Sequence, residues 1–162
     1  PGINAKLRLL DETLMMPAFA LGFDSQGKEP FLEADTLNRY TIKSLGVYVA
    51  ASKNYAFMGN LSVHGGLNLS LEKDDRDSDL NAYLGVEKTL GPDISLLAEY
   101  DFAFNDNYLS AVGEGRGYLN LGLRWSWGKG LIIGFDLKNV TKNQKNVSVG
   151  NRTLHIDYIG AF

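Results

Sequence analysis

Hydrophobic and polar residues alternate along most of this chain. In segment 61–72 the odd positions hold leucine, valine or glycine, whereas the even positions hold serine, histidine, glycine, asparagine or glutamate. Successive side chains of a β-strand point to opposite faces, so the segment predicts a strand with one apolar and one polar face. An α-helix would instead scatter the same leucines around its whole circumference.

The same alternation recurs in eight further segments. They are 3–10, 15–24, 44–52, 80–87, 94–105, 116–127, 131–138 and 153–162. Leu10 and Ile132 are the exceptions, because both are apolar residues on the polar face. The pattern therefore predicts an all-β domain of about nine amphipathic strands, with no helical segment.

Connections between these segments alternate in length. The short ones lie near 11–13, 54–56, 91–93 and 128–130, and the long polar ones span roughly 25–39, 73–79, 106–114 and 141–151. Antiparallel neighbours place all short turns at one end of a sheet and all long loops at the other. This layout is typical of an antiparallel up-and-down outer-membrane β-barrel. A further strand is most easily missed within 25–39.

Composition narrows the possible partners, the possible cysteine chemistry and the possible ways of crossing a membrane. The chain has 162 residues with 16 basic and 19 acidic side chains, a balance that does not favour a nucleic-acid partner. It contains no cysteine, which excludes disulfides and thiolate metal sites. No run of 18 apolar residues predicts a transmembrane helix, but a barrel strand crosses with about 9–11 residues, of which only half are apolar.

Two features favour an apolar face that points outward to lipid. The polar face is rich in Gly, Ala, Ser and Asn, which suit the cramped interior of a narrow barrel. Aromatic residues of the apolar face gather near the strand ends, where girdles mark the two membrane–water boundaries. The girdle residues are Phe57, Trp125, Trp127 and Phe162 at the short-turn end, and Phe23, Phe102 and Phe104 at the long-loop end. A soluble lipocalin-like barrel that binds a lipophilic ligand is the alternative, with the faces reversed.

The last segment alternates through Leu154, Ile156, Tyr158 and Gly160 to a terminal Phe162. It resembles the C-terminal insertion signal of bacterial outer-membrane proteins, which implies recognition by the barrel-assembly machinery. The expected surroundings are the lipid bilayer and lipopolysaccharide of the bacterial outer membrane. Single-chain bacterial barrels have an even strand number, so an odd count predicts that residues 1–162 form a single but N-terminally incomplete barrel domain.

A narrower resemblance rests on three short motifs. The stretches PAFALGFD at 17–24, YVAASK at 48–53 and LSVHGG at 61–66 are similar to the YjbH-like outer-membrane barrels. That family is associated with exopolysaccharide production. The motifs cover only the first three hairpins, and no catalytic residue transfers with them.

Charged residues on the polar face are expected to form a network inside the lumen, because an unpaired buried charge is costly. The candidates are Arg8, His64, Glu72, Glu87, Glu99, Asp101, Arg116, Arg124, Asp136, Lys138, His155 and Asp157. Small barrels are usually filled by their side chains, so a plugged lumen is favoured over a charged pore. The predicted function is a structural or passive-channel barrel.

Candidate chemistry beyond this network is sparse. An outer-membrane hydrolase would need His64 or His155 to meet Ser62 or Ser70 and Asp157, and nothing local fixes that arrangement. The acidic run 74–79 could hold a hard cation, but a solvated loop is favoured because calcium-loop spacing is absent. The Gly-rich segment 113–117 is not a phosphate loop, since no strand-to-helix unit surrounds it. The sequence predicts no enzymatic activity, cofactor or metal.

Overall fold

The structure is a computed structural model that describes residues 2–34, 37–128, 130–145 and 147–160. These residues form eleven strands connected by turns and loops. The strands are β1 Asn4–Leu10, β2 Ala18–Asp24, β3 Lys28–Ala34, β4 Leu37–Ile42, β5 Gly46–Ala56, β6 Asn60–Ser70, β7 Asn81–Leu90, β8 Ile94–Asp101, β9 Tyr118–Gly128, β10 Leu131–Lys138 and β11 Asn151–Tyr158. Within the described ranges there is no helix that could cross a membrane.

Nine of the strands form one antiparallel sheet in the order β1-β2-β5-β6-β7-β8-β9-β10-β11. Each of the nine segments predicted from alternation supplies one of these strands, so the all-β prediction is confirmed. Strands β3 and β4 pair only with each other, as a separate hairpin within the connection expected to be a loop. Pro30 and the charged residues around it hide the alternation there, which explains why sequence pattern alone did not reveal the hairpin.

The register of the sheet aligns apolar side chains into rows that cross several strands. One row runs through Leu21, Val49 and Leu67, which are paired across β2, β5 and β6. Another row runs from β8 to β11 through Leu96, Leu123, Phe135 and Leu154. The members of both rows are exposed. One face of the sheet is therefore a continuous and uncovered apolar surface.

The polar face is concave, and large rings on it lie over glycines of the neighbouring strand. A Cβ atom added to any of these glycines would meet an atom of the facing ring within 2.6 Å. The cross-strand pairs are Tyr48 with Gly22, Tyr83 with Gly66, His64 with Gly85, and His155 with Gly134. Glycine at these positions lets each ring lie against the sheet, which allows a narrow and strongly curved interior.

The curvature brings distant strands together, but the sheet remains open. Asn4 and Asp24 of the first hairpin line the same cleft as Glu99 and Asp101 of β8. No pairing joins β1 to β11 among the residues that the structure describes. The observed architecture is thus a curled, open antiparallel sheet.

On either side of the loop between β8 and β9, two predicted strands are shorter than alternation indicates. Segment 94–105 is a strand only as far as Asp101, because Ala103 adopts a positive φ of 50° and the chain turns away. Segment 116–127 enters the sheet only at Tyr118. Phe102, Phe104 and Arg116 therefore lie in the long loop between β8 and β9, and not within strands.

At the short-turn end, Glu12 fixes the connection between β1 and β2 against β5. Its carboxylate accepts hydrogen bonds from the Asn54 backbone N–H at 2.9 Å and from Asn54 Nδ2 at 2.7 Å. Lys53 Nζ lies 3.2 Å from the same carboxylate. The hydrogen bond from the Asn54 backbone, with help from its side chain and from Lys53, holds the pKa of Glu12 below its ordinary value.

This arrangement predicts an acid-sensitive turn. Because the folded-state pKa of Glu12 is lowered, the carboxylate stabilises the turn above the ordinary glutamate pKa of about 4.3, and the stabilisation is lost as pH falls through the folded-state value. The protection factor of the Asn54 amide, measured by NMR hydrogen exchange between pH 3 and 7 and corrected for the intrinsic exchange rate at each pH, should fall on acidification because the hydrogen bond to Glu12 is lost. Glu12→Gln should abolish that pH dependence, and a persisting dependence would refute the assignment.

The tight strand contacts predict unequal costs at two adjacent glycines. A Cβ on Gly66 would lie 2.1 Å from the Val49 carbonyl oxygen, whereas a Cβ on Gly65 would come no closer than 3.0 Å to the Tyr83 carbonyl oxygen. Gly66→Ala should therefore lower the free energy of unfolding by about 1–3 kcal/mol. Gly65→Ala is the matched control and should cost less in the same urea titration. Equal effects would contradict the packing of β5 against β6.

Candidate functional site

Burial in this protein is inverted relative to an ordinary globular domain. In the described part of the chain the buried hydrophobic residues are only Ala20, Ala103, Ala111 and Tyr118. The buried polar and charged residues are Arg39, Lys43, Ser70, Glu72, Asp75, Asp77, Asn81, Asn105, Asp106, Asn139, Asn143 and Gln144. Most of them lie in the loops at the long-loop end, so the most deeply buried region of the described residues is polar.

Arg39 of β4 lies at the centre of this polar region. Its side chain has no exposed surface, and Nη1 donates to Asp106 Oδ1 at 2.8 Å and also to the Asp75 carboxylate. Nε and Nη2 donate to the backbone carbonyls of Tyr40 and Thr41, each at 3.0 Å. Every nitrogen of the guanidinium therefore has a partner, as a buried charge requires.

Two further side chains extend the cluster. Lys43 Nζ lies 2.7 Å from Asp75 Oδ1 and also donates to the Asp77 carbonyl, and the Tyr118 hydroxyl donates to Asp106 Oδ2 at 2.9 Å. We call Arg39, Lys43, Asp75, Asp77, Asp106 and Tyr118 the loop cap. It joins the β3–β4 hairpin, the loop before β7 and the loop before β9 into one unit.

Backbone groups around the loop cap are held by side-chain acceptors. The Glu72 carboxylate accepts hydrogen bonds from the backbone N–H groups of Tyr40, Ser44 and Leu45 at 2.6, 2.9 and 3.2 Å. Asn143 Oδ1 accepts from the Arg116 N–H at 2.7 Å, which ties the loop before β11 to the loop before β9. The long loops are consequently fastened to one another over the concave face.

The electrostatics of Arg39 are consistent with a permanent cation. Burial opposes its charge, but the hydrogen bonds and negative charges of Asp106 and Asp75 outweigh that penalty and raise its pKa. Both carboxylates are themselves buried. Removal of the arginine would leave them without their main counter-charge.

The prediction that residues 74–79 form a solvated loop is wrong for two of the acidic side chains. Asp75 and Asp77 are buried in the loop cap, whereas Asp74 and Asp79 are exposed. The partners Arg39 and Lys43 lie more than thirty positions away, so no local pattern indicated the pairing. Across the described ranges, no group of three or more His, Cys, Asp or Glu side chains could hold a metal ion.

Part of the predicted lumen network comes together on the polar face. Arg124 Nη1 donates to Asp136 Oδ1 at 2.6 Å. His155 lies between two carboxylates, with Nδ1 3.7 Å from Asp136 Oδ2 and Nε2 3.6 Å from Asp157 Oδ2. These four residues bring β9, β10 and β11 into one small charge cluster.

Two more predicted lumen residues are held by asparagines instead of cations. Asn120 Nδ2 donates to Glu99 at 3.3 Å, and Asn81 Nδ2 donates to Asp101 at 2.7 Å. Glu99 and Asp101 also line a cleft of about 430 Å³ that lies under the loop cap. Lys28 of β3 and Lys138 of β10 border the same cleft, so cationic and anionic groups share its wall.

The remaining predicted lumen residues do not join this network. Arg8 pairs with Asp11 at 3.2 Å in an exposed position, and Arg116 pairs with Glu114 at 2.9 Å in a loop. Glu72 belongs to the surroundings of the loop cap, beyond the end of β6. For Glu87, Lys138 and His64 the described side chains provide no ion pair within 4.0 Å.

The hydrolase residues are not assembled. The Ser62 hydroxyl donates to Asn54 Oδ1 at 2.6 Å, and the Ser70 hydroxyl donates to the Leu45 carbonyl at 3.1 Å. Neither hydroxyl therefore donates to a histidine. Asp157 lies on β11 and His64 on β6, and four strands of the sheet lie between them. In the part of the chain that the structure describes, no Ser–His–acid set is connected by hydrogen bonds.

Aromatic residues predicted as girdles lie at the two ends of the sheet. Trp125 and Trp127 stand at the short-turn end of β9 with ring centroids 4.7 Å apart, and Phe57 is at the same end, in the turn between β5 and β6. At the other end, Phe102 and Phe104 stack with centroids 5.2 Å apart. Those five rings and Phe23 are exposed, and Phe162 lies outside the described residues.

Comparison of the chain with protein families, with curated proteins and with solved structures finds no match.

The loop cap predicts a large difference between two arginines. Arg39→Met should lower the free energy of unfolding by about 3–5 kcal/mol, because it leaves buried carboxylates uncompensated. The control Arg8→Met removes an exposed pair and should cost no more than about 1 kcal/mol. Reversible urea unfolding measures both values. Similar small losses would mean that the loop cap does not hold the loops together.

Proposed function

We propose that this chain forms an integral β-barrel of the bacterial outer membrane, of structural or passive-channel type, with a polar lumen and a lipid-facing exterior. The observation that carries the proposal is the inverted burial. Large apolar side chains on successive strands are exposed, while charged and amide side chains occupy the concave side and the loop cap. Lipid is the solvent that stabilises such an apolar exterior.

The extent of the apolar face supports this proposal over a soluble barrel. Rows of leucine, valine, isoleucine and aromatic residues continue across the nine-stranded sheet without a covering layer. Soluble monomers rarely expose a contiguous apolar patch of more than about 300–600 Å². A lipocalin-like protein would instead require these rows on the concave side, around an apolar cavity.

The positions of the aromatic rings fit a span across a bilayer. Trp125 and Trp127 would occupy one membrane–water boundary, and Phe102 and Phe104 would occupy the other. Strands β5, β6, β7 and β9, of ten or eleven residues, match the length of about 9–11 residues that a tilted strand needs to cross. The long loops then lie outside the cell, next to lipopolysaccharide, and β11 is the strand that the assembly machinery would engage.

The loop cap supports a structural or tightly restricted barrel over a wide pore. It fastens three loop segments over the concave face with buried ion pairs. Beneath it, the cleft walls carry both lysines and carboxylates, so no single sign of charge dominates the path. Slow passage of small polar solutes around the loop cap is the most transport that this arrangement favours.

Arginine substitutions test the orientation of the two faces. Leu84 is exposed near the middle of β7, and Leu84→Arg should cost about 2–4 kcal/mol of folding free energy in lipid vesicles. Asn68 lines a cleft with charged and polar walls, so Asn68→Arg should cost less than Leu84→Arg. Reversible unfolding from vesicles gives both values. Equal costs, or a larger cost at Asn68, would refute the lipid-facing exterior.

A further inference from the structure

The two edges of the nine-stranded sheet have no neighbour among the described residues. On β11, Leu154, Ile156 and Tyr158 are 69, 66 and 72% exposed, compared with 38 and 40% for Leu121 and Leu123 inside the sheet. All seven residues of β1 are exposed as well. The outer backbone groups of both edge strands therefore lack strand partners.

The directions of β1 and β11 decide which strands can fit between these two edges of the sheet. All eight pairings in the sheet are antiparallel, so its first and ninth strands, β1 and β11, run in the same direction. Direct contact between them would create the single parallel seam of the sheet. One added strand, or any odd number, would instead be antiparallel to both neighbours. Parity therefore favours closure by an odd number of strands.

The chemistry of the two edges specifies the sequence of such a strand. On the polar face β1 presents Lys6 and Arg8, whereas β11 presents His155 and Asp157. On the apolar face the edges carry Leu7, Leu9, Leu154 and Ile156. A fitting strand alternates apolar residues that face outward with polar residues that face inward, and it places an acidic group beside Lys6 and Arg8.

We infer that the barrel is closed by an amphipathic polypeptide segment outside these 162 residues, which lies between β1 and β11 and runs antiparallel to both. The inference rests on the proposed function, because each unpaired backbone group in lipid costs several kcal/mol. A single strand completes a ten-stranded barrel with no parallel seam.

A parity experiment tests this inference with the chain's own strands. One variant carries a copy of residues 131–138, followed by a flexible linker, ahead of residue 1. This copy of β10 has the direction that pairs with β11 in the sheet, and its Asp136 supplies an inward-facing carboxylate. A second variant carries a copy of residues 118–138, which adds two strands. A third carries the 131–138 copy with its order scrambled so that alternation is lost.

In lipid vesicles, the one-strand variant should become heat-modifiable on gels and should resist protease longer than the unmodified chain. The two-strand and scrambled variants should not gain this resistance, since neither closes the sheet with antiparallel pairs only. Equal gains from one and two added strands would overturn the inference. So would no gain from one strand.

Cysteine pairs test directly whether β1 instead meets β11 of the same chain or of a second copy. Such pairs can be introduced cleanly because residues 1–162 include no cysteine. In the unmodified chain, Leu7→Cys is combined in turn with cysteine at 154, 156 or 158 to sample different registers. We expect no efficient disulfide from any pair. An intramolecular disulfide would show self-closure, and an intermolecular one would show that a second copy fills the gap. Failure of every variant to enter vesicles would instead refute the proposed membrane function.

Discussion

Antiparallel backbone pairing is the constraint on which the rest of this structure depends. It fixes the register of each strand, and register in turn assigns every side chain to one face or the other. A shift of one residue in β6 would move Leu67 and Leu69 to the concave side and bring Asn68 and Ser70 to the apolar exterior. The rows of apolar residues exist only because eight successive pairings keep the same phase.

At the long-loop end, buried polar side chains hold the loops together, a role that a hydrophobic core has in an ordinary globular domain. The concave side has little room, so glycines face the rings of Tyr48, Tyr83, His64 and His155. The loops fold over this side through a buried arginine, a buried lysine and several buried carboxylates. Such clusters are highly sensitive to loss of one member, because the desolvation of each charge is offset only by its partners. The same contacts give the loop end one defined arrangement.

The sequence was most informative where a repeating local pattern controls the structure. Period-two alternation identified all nine strands of the sheet, and Arg124, Asp136 and His155, which position alone places on one face, lie close together in the structure. Alternation could not place the ends of β8 and β9, where the conformations of Ala103 and the loop before Tyr118 decide the boundary. It also missed the loop cap, because Arg39, Asp75 and Asp106 come from three separate segments and meet only in the folded chain.

In the proposed membrane orientation, the odd-numbered residues in the middle of β9 face lipid and the even-numbered residues face the lumen. Because the natural chain has no cysteine, one cysteine at a time at positions 119–124 can carry a nitroxide label in vesicles. Power-saturation measurements compare collisions with oxygen, which concentrates in lipid, and with a water-soluble nickel chelate. The account predicts higher oxygen accessibility at 119, 121 and 123, and higher nickel accessibility at 120, 122 and 124. The reverse phase, or no alternation with period two, would contradict it.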